Sequence, residues 1–131
     1  MAKTFQLEII TPTQIFSEGQ VNYVRAESPD GQFGIMSHHT AATVALGIGE
    51  VKVVKNGKEY FYATTGGFAD IQPESVLLLL ETAELVSDID VDRAKAAKKR
   101  AQDRLNDKNM NKARSRTAIA KAKNRLKVSH R

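Results

Sequence analysis

Apolar and polar residues alternate with period two over residues 5–9, which is the pattern of a half-buried β-strand. A second strand is predicted over residues 21–26 and a short extended segment over residues 32–36. Pro12 is expected to end the first strand, because proline cannot donate to a sheet ladder. Pro29 and Gly31 predict a turn before the third, since proline presets φ and glycine accepts a positive φ.

The clearest local signal is Asn56–Gly57, which lies between β-rich runs at residues 51–54 and 59–63. Asn-Gly in this position predicts a β-hairpin closed by a type I′ turn. Gly66 and Gly67 are expected to break the chain before a further extended stretch over residues 68–71. Many short strands separated by turns indicate a β-sandwich or a barrel.

Residues 76–80 form an uninterrupted apolar run, Val-Leu-Leu-Leu-Leu. A run without alternation fits a strand that is buried on both faces, and a buried helical segment is the alternative. The short length of the run and the preceding Pro73 favour the strand.

Residues 89–131 contain no proline or glycine and are dominated by alanine, lysine and arginine, which favour helices. Ser87 or Asp88 is predicted to cap a first helix, with Asp90 and Asp92 in its first turn. A polar break over residues 106–109 separates it from a second helix. Stripes at helical spacing predict the buried faces, Ala94, Ala97, Ala101 and Leu105 in the first helix and Ala118, Ile119, Ala122 and Leu126 in the second.

Together these elements predict an α+β fold in two parts. An N-terminal β-sandwich is expected over residues 1–86 and a C-terminal antiparallel α-helical hairpin over residues 87–131. Because alanine buries little area, the helices should hold together weakly and need an outside surface to fix their arrangement.

Charge divides the chain in the same way. Residues 1–88 carry 5 Lys/Arg and 11 Asp/Glu, a net of −6, whereas residues 89–131 carry 15 Lys/Arg and 4 Asp, a net of +11. Self-repulsion at that density favours an acidic partner. The basic half has no aromatic residue for stacking on single-stranded nucleic acid and few large apolar residues for a membrane surface. An acidic protein surface or a multiply charged anion remains, with a nucleic-acid-binding module carrying a basic arm as the alternative function.

Residues that could carry catalysis are few. The chain has no cysteine and three histidines, and it contains no phosphate-binding glycine loop and no arguable Ser-His-Asp arrangement. The adjacent His38 and His39 would point to opposite faces of a strand, which disfavours a shared metal ion. The longest apolar run is too short for a membrane span, and no signal peptide precedes it. We therefore expect a non-enzymatic protein that stays in the compartment where it is made.

Four cations in the basic half are spaced to meet. Arg93 and Arg100 share one face of the first helix, and Lys121 and Arg125 share one face of the second. If those faces meet, the four side chains converge in a site that suits a triphosphate.

Three motifs resemble the epsilon subunit of F-type ATP synthases. Residues 30–36, Asp-Gly-Gln-Phe-Gly-Ile-Met, followed by His39, are similar to its Gly-x-x-Gly-Ile stretch and histidine. Residues 65–68, Thr-Gly-Gly-Phe, are similar to its Ser-Gly-Gly-Phe turn, and residues 88–94 match its Ile/Leu-Asp-x-x-Arg-Ala motif. The order of a β-domain and a basic helical hairpin extends the resemblance along the whole chain.

The resemblance implies a non-catalytic subunit with a ten-stranded β-sandwich that docks on the gamma subunit and on the ring of c subunits. Its mobile hairpin would either fold onto the sandwich or extend along gamma into the catalytic head of alpha and beta subunits, where it hinders ATP hydrolysis. The implied place is the cytoplasmic face of a bacterial plasma membrane, reached only through the c ring. No cofactor is implied, whereas ATP is implied as a regulatory ligand.

The resemblance also implies which residues act. The ATP-binding positions are Glu84, Asp90, Arg93, Ala94, Arg100, Lys121 and Arg125. The inhibitory basic face is Lys112, Arg114, Arg116, Lys121, Lys123 and Arg125. Contacts with gamma and the c ring are expected at Gly31, Gln32, Phe33, Gly34, His38 and His39.

Some residues depart from the family pattern. Lys121 stands where nucleotide-binding members have arginine, which loses a bidentate contact. Residues 37–42, Ser-His-His-Thr-Ala-Ala, replace the usual Pro-Gly-His-x-Pro-Leu, and Gln32 replaces a commonly acidic residue. These changes predict an altered loop towards the c ring.

Overall fold

A computed structural model describes residues 3–107 and 111–131. It confirms the predicted fold class, because a β-sandwich is followed by two helices. The strands are β1 (Phe5–Ile10), β2 (Ile15–Val21), β3 (Tyr23–Ser28), β4 (Gly31–Met36), β5 (Ala42–Lys55), β6 (Lys58–Gln72), β7 (Ser75–Leu80) and β8 (Ala83–Leu85). A short 3₁₀ turn (Val86–Asp88) leads to α1 (Val91–Leu105) and α2 (Lys112–Val128).

The strands follow the order β2-β1-β7-β6-β5-β3-β4, with β8 beside β6. The long strands β5 and β6 pair with each other, but their register skips Gly47 and Gly66. In β6, residues 67–72 pair with β7 and residues 62–64 pair with β8. In β5, residues 52–54 pair with β3, on the C-terminal side of Gly47. Each long strand therefore contributes to both layers, and counting it once in each reconciles eight strands with the ten that the resemblance implies.

The predicted chain break at Gly66 and Gly67 is wrong, because β6 continues through both residues. Their φ angles are 104° and 142°, which glycine adopts without the steric cost that a side chain would add. A Cβ at Gly67 would also collide with the backbone of Leu79 on the neighbouring strand. The glycines therefore allow the sheet to bend and β7 to approach closely.

The apolar run at residues 76–80 is a strand as predicted, but it is not buried on both faces. Val76, Leu78 and Leu80 are buried, whereas Leu79 is 42% exposed. Period-two geometry places Leu77 and Leu79 on the outer surface of the sheet. The run therefore combines one core-facing row with one outward-facing apolar row.

Two predicted strands have different bounds in the structure. The expected strand at residues 21–26 is divided at Asn22, because β2 ends at Val21 and β3 begins at Tyr23. β2 escaped prediction since it is an edge strand with a register shift and with Ile15 67% exposed. β5 begins at Ala42, well before the predicted start.

The core lies between the two layers. Its fully buried large side chains include Phe5, Leu7 and Ile9 of β1 and Leu78 of β7. The Asn56–Gly57 hairpin is confirmed, since φ is 53° at Asn56 and 77° at Gly57, as a type I′ turn requires.

Both helices begin at a side-chain cap. Asp90 accepts the backbone N–H of Arg93 at 3.0 Å, and Asn111 accepts that of Arg114 at 3.1 Å. The predicted caps, Ser87 and Asp88, are wrong, because both residues belong to the 3₁₀ turn.

The predicted alanine stripes hold only in part. Ala94 and Ala101 are buried in α1, whereas Ser115, Ala122 and Val128 are buried in α2 and Ala118 is exposed. The polar break is partly described, since α1 ends at Leu105 and residues 106–107 follow it, but Lys108 and Asn109 lie outside the described residues.

Candidate anion-binding site

The end of α2 is fastened to the sandwich by polar contacts. The Arg131 guanidinium donates from Nε and Nη2 to the two carboxylate oxygens of Glu50, both at 2.9 Å. Arg25 Nη2 donates to Glu50 Oε1 at 2.8 Å, and Glu50 is only 5% exposed. Asn124 Nδ2 donates to the carbonyl oxygen of Gly49 at 2.8 Å. We call Arg25, Glu50, Asn124 and Arg131 the latch.

The latch stabilises the charged form of its terminal cation. The hydrogen bonds from Arg131 to Glu50, and then the negative charge of Glu50, raise the pKa of Arg131 above its ordinary value. The same guanidinium lies over the Phe61 ring, 5.0 Å from its centroid. The latch is thus a charge-assisted contact between helix and sheet.

A cleft of about 430 Å³ lies where α1 and α2 pass the edge of the sandwich. Arg93 of α1, Lys121 and Arg125 of α2, and Glu81 and Glu84 of the sandwich line it. We call this the cationic cleft. Its remaining lining residues are Thr11, Thr13, Gln14, Thr65, Thr82 and Ala83.

The cations of the cationic cleft already face carboxylates. Arg125 Nη2 donates to Glu84 Oε2 at 3.1 Å, and Arg125 Nε lies 2.6 Å from Glu84 Oε1 as an ion pair without hydrogen-bond geometry. Lys121 Nζ lies 3.9 Å from Glu81 Oε2. An incoming anion therefore has to compete with these carboxylates for the cations.

The structure brings together four of the seven residues implied for ATP binding, namely Glu84, Arg93, Lys121 and Arg125. Asp90 instead caps α1, and Ala94 is fully buried beneath it, so both support the position of Arg93. Arg100 does not line the cationic cleft. It lies seven residues beyond Arg93, or about 10 Å along the helix axis.

The six cations implied for the inhibitory face occupy two opposite sides of α2. At about 100° per residue, Lys112, Arg116 and Lys123 lie within about 40° of one another and are exposed. The other three point to the opposite side, and two of them are the cleft residues. These are Arg114, Lys121 and Arg125. We call Lys112, Arg116 and Lys123 the outward basic face.

Residues implied for contact with gamma and the c ring lie at the two ends of β4. Gly31 and Gln32 are at the β3–β4 turn, where Gln32 Nε2 donates to Glu27 at 3.1 Å. Phe33, which is partly buried against the core, and Gly34 continue the strand. About 17 Å away, at about 3.4 Å per residue, the chain turns again after Met36.

The His38–His39 turn lies just beyond this second end of β4, and not on a strand as the sequence argument assumed. His38 is exposed with a φ of 62°. The His39 ring contacts the carbonyl oxygens of Met36 and Gln72 and lies edge-on to Phe5. No group of three potential metal ligands was found among residues 3–107 and 111–131.

An apolar row crosses the outer surface of one layer. Leu79 pairs directly with Phe68 on one side and with Ile10 on the other, and Phe68 pairs with Ala45. Phe68 is 55% exposed and Leu79 is 42% exposed. We call Ile10, Ala45, Phe68 and Leu79 the apolar row.

Sequence reasoning missed the latch. Glu50 precedes a predicted strand, Asn124 is an unremarkable polar residue of α2, and Arg131 lies beyond the end of that helix. No spacing rule joins positions 50 and 131, so only the packing of α2 on β5 and β6 could identify them.

Both parts of the chain match models of known protein families. The family model for the ATP synthase delta/epsilon chain β-sandwich domain matches residues 4–86, and that for its long α-helix domain matches residues 87–130. The ATP synthase epsilon chain of Desulforamulus reducens is 39% identical over 131 residues, covering 98% of this chain and 99% of that protein. The epsilon chain of Staphylococcus haemolyticus is 41% identical over 129 residues, covering 96% of each chain.

Solved structures agree at the level of the fold. A chain from the Euglena gracilis mitochondrial ATP synthase has a TM-score of 0.84 at 18% identity, covering 98% of this chain and 82% of that one. Among the described residues, no helix is long and apolar enough to cross a bilayer. The resemblance inferred from the sequence motifs is confirmed, and the chain belongs to the ATP synthase delta/epsilon chain family.

Proposed function

We propose that this chain is the non-catalytic epsilon subunit in the central stalk of a bacterial F-type ATP synthase. It couples rotation of the c ring to the catalytic head, and its two helices hinder ATP hydrolysis when they leave the sandwich. The observation that carries the regulatory part is the way α2 is attached, through the latch and the Arg125–Glu84 pair.

Because α2 is attached to the sandwich through ion pairs, the hairpin can leave the sandwich and form similar pairs with another protein. The only apolar residues of α2 that are buried among those described are Ala122 and Val128, and these remove little area from water. The guanidiniums of Arg125 and Arg131 can form equivalent pairs with carboxylates of another protein. Folded and extended hairpins then differ by a few kcal/mol, so acidic surface on the alpha and beta subunits can shift their populations.

The cationic cleft is the proposed site for ATP. Arg93, Lys121 and Arg125 would hold the phosphates, and Arg125 would exchange Glu84 for a phosphoryl oxygen. Glu84 would then accept hydrogen bonds from ribose hydroxyls or from the adenine amino group. Because the lining side chains come from α1, α2 and the sandwich, bound ATP stabilises the folded hairpin and releases the inhibition.

The sandwich supplies the docking surfaces. The apolar row suits a helix or strand face of the gamma subunit, because Phe68 and Leu79 are large, adjacent and exposed. The β3–β4 turn and the His38–His39 turn are proposed to contact gamma and the c ring. The subunit is then peripheral to the plasma membrane, on the cytoplasmic face, and reaches it only through the ring.

The test is truncation in the reconstituted complex. A chain ending at residue 88 retains every strand and lacks both helices. We expect normal assembly with gamma and an increased rate of ATP hydrolysis, measured by a coupled assay at saturating ATP. An unchanged rate would refute inhibition by the helices. Loss of assembly would refute the separate role of the sandwich.

A further inference from the structure

A second cavity, of about 340 Å³, lies between the two helices near their connection. Ala101 and Arg104 of α1 line it from one side, and residues of α2 and its cap line it from the other, namely Asn111, Arg114, Ser115 and Ala118. We call it the hairpin cavity. None of these lining residues is acidic, which distinguishes the hairpin cavity from the cationic cleft.

The two sites are related by the same spacing in both helices. Arg93 and Arg104 are eleven residues apart in α1, and Arg114 and Arg125 are eleven residues apart in α2. Eleven residues are about three turns, so each pair shares one helix face at an axial separation of about 16 Å. In the antiparallel hairpin, Arg93 and Arg125 therefore meet in the cationic cleft, and Arg104 and Arg114 meet in the hairpin cavity.

Ser115 is an independent sign of a ligand. It is only 5% exposed and lines the hairpin cavity, yet its hydroxyl makes no hydrogen bond with any residue in the described part of the chain. Its backbone N–H is used separately and donates to the Asn111 carbonyl oxygen at 3.1 Å. The hydroxyl oxygen is not among the fully buried side-chain atoms that lack a partner, so it is open to the space of the hairpin cavity and is available to donate to a bound anion.

The electrostatics of the hairpin cavity favour an anion. Within residues 3–107 and 111–131, neither Arg104 nor Arg114 forms an ion pair, whereas Lys121 and Arg125 both do. The cavity also lies at the N-terminus of α2, the positive end of the helix dipole. An anion entering here therefore displaces no carboxylate of residues 3–107 and 111–131 from either arginine.

We infer that the hairpin cavity binds a phosphate-type oxyanion that bridges Arg104 of α1 and Arg114 of α2. The Ser115 hydroxyl donates the third hydrogen bond. The cavity volume is near the lower end of the range of about 300–1,000 Å³ for small-molecule sites, which fits phosphate or a small phosphorylated compound. Binding joins the two helices and stabilises their antiparallel arrangement without occupying the cationic cleft.

The test is titration of the full chain with inorganic phosphate at constant ionic strength, followed by NMR of the arginine Nε–Hε groups and backbone amides. We expect saturable shifts at Arg104, Arg114 and Ser115. Arg114→Gln should weaken phosphate binding by about tenfold or more, because it removes a charge-assisted contact. Ser115→Ala should weaken it by about threefold. If circular dichroism shows that R114Q does not fold, Arg104→Gln tests the same loss of phosphate affinity from the other helix.

The matched control is Arg116→Gln, which makes the same charge change on the outward basic face and should alter affinity less than about twofold. Equal losses in R114Q and R116Q, or a response that never saturates, would overturn the site. Shifts confined to Arg93, Lys121 and Arg125 would assign the phosphate to the cationic cleft instead.

Titration with ATP separates this inference from the proposed function. Arg125→Gln should weaken ATP binding at the cationic cleft and leave the phosphate titration of Arg104 and Arg114 unchanged. If ATP failed to bind the unmodified chain while phosphate still saturated the hairpin cavity, the nucleotide proposal would fail and the oxyanion site would stand. Loss of the phosphate response in R125Q would contradict two separate sites.

Discussion

At the scale of single residues, Glu50 has the most informative environment. Its carboxylate is nearly buried and receives hydrogen bonds from Arg25 of the sandwich and Arg131 beyond α2. A buried carboxylate is stable only when it is paired, and Arg131 supplies two of the three hydrogen bonds that Glu50 receives, so the folded hairpin adds to its stabilisation. Arg25 remains paired within the sandwich when the hairpin leaves, which lowers the energy needed for opening.

Substituting Glu50 should therefore open the hairpin. We expect Glu50→Gln to weaken docking of α2 by about 1–3 kcal/mol, because charge-assisted hydrogen bonds become neutral ones. The population with a long distance between α2 and the sandwich should rise. Double electron–electron resonance between spin labels at Ala120→Cys and Lys58→Cys measures this population. The labels attach only at these two sites, because the natural chain has no cysteine.

The control for this change is Glu59→Gln. Glu59 pairs with Lys52 at 3.0 Å, but its side chain is 51% exposed, so the pair should contribute little. A distance distribution that is the same in E50Q, E59Q and the unmodified chain would show that the latch does not hold α2.

Lys121 is the residue on which nucleotide affinity should depend. Lys121→Arg introduces a planar fork that can bind a phosphate through two hydrogen bonds. We expect ATP binding by the isolated chain to tighten by about five- to tenfold, measured by isothermal titration calorimetry. Lys123→Arg on the outward basic face is the control and should leave the affinity unchanged. Equal or weaker binding in K121R would place the phosphates away from this side chain.

At the scale of elements, α2 carries two different sets of cations. Its inner side takes part in the cleft and the hairpin cavity, while the outward basic face meets solvent in the folded hairpin. A helix with cations on both sides can keep one set engaged while the other meets a partner. The inner set suits ligand binding, and the outward set is free to meet acidic protein surface first.

Neutralising the outward basic face should separate inhibition from nucleotide binding. We expect the triple change Lys112→Gln, Arg116→Gln and Lys123→Gln to relieve inhibition of ATP hydrolysis several-fold in the reconstituted complex, because contacts to acidic surface are lost. The ATP affinity of the isolated chain should stay within about twofold. A triple variant that inhibits as strongly as the unmodified chain would exclude this face from the inhibitory contact.

At the scale of the whole molecule, the sandwich contains a complete core of its own. The core cluster extends from Phe5 to Ala83, and no residue of α1 or α2 belongs to it. The hairpin adds a separate, basic unit of net +11 to a sandwich unit of net −6. Opposite charge favours their association, and the absence of a shared apolar core permits their separation.

The isolated sandwich should therefore fold. We expect residues 1–88 to show a dispersed NMR spectrum and one cooperative unfolding transition in urea, monitored by circular dichroism. Broad, undispersed resonances would mean that α2 is needed to complete the sandwich. They would also undermine the separate movement of the hairpin.

Local chemistry explains which predictions hold. Asn56–Gly57 specifies its turn through backbone preferences of two residues, and the helical half follows from a long segment of helix-forming residues. Prediction failed at Gly66–Gly67 and for the burial of both faces of the strand at residues 76–80, where the outcome depends on neighbouring strands. A glycine pair bends a paired strand and ends an unpaired one, and the residue order alone does not distinguish the two cases.

The sequence by itself determined the class of the fold, the charge division and the family, because each depends on composition, short periods or contiguous motifs. Only the tertiary structure decided that Arg93, Lys121 and Arg125 share a cleft while Arg100 lies outside it, that Glu50 holds Arg131, and that Arg104 meets Arg114. These contacts join residues up to 81 positions apart in the sequence. They follow from how helices cross a sheet, and long-range geometry of that kind leaves no pattern along the chain.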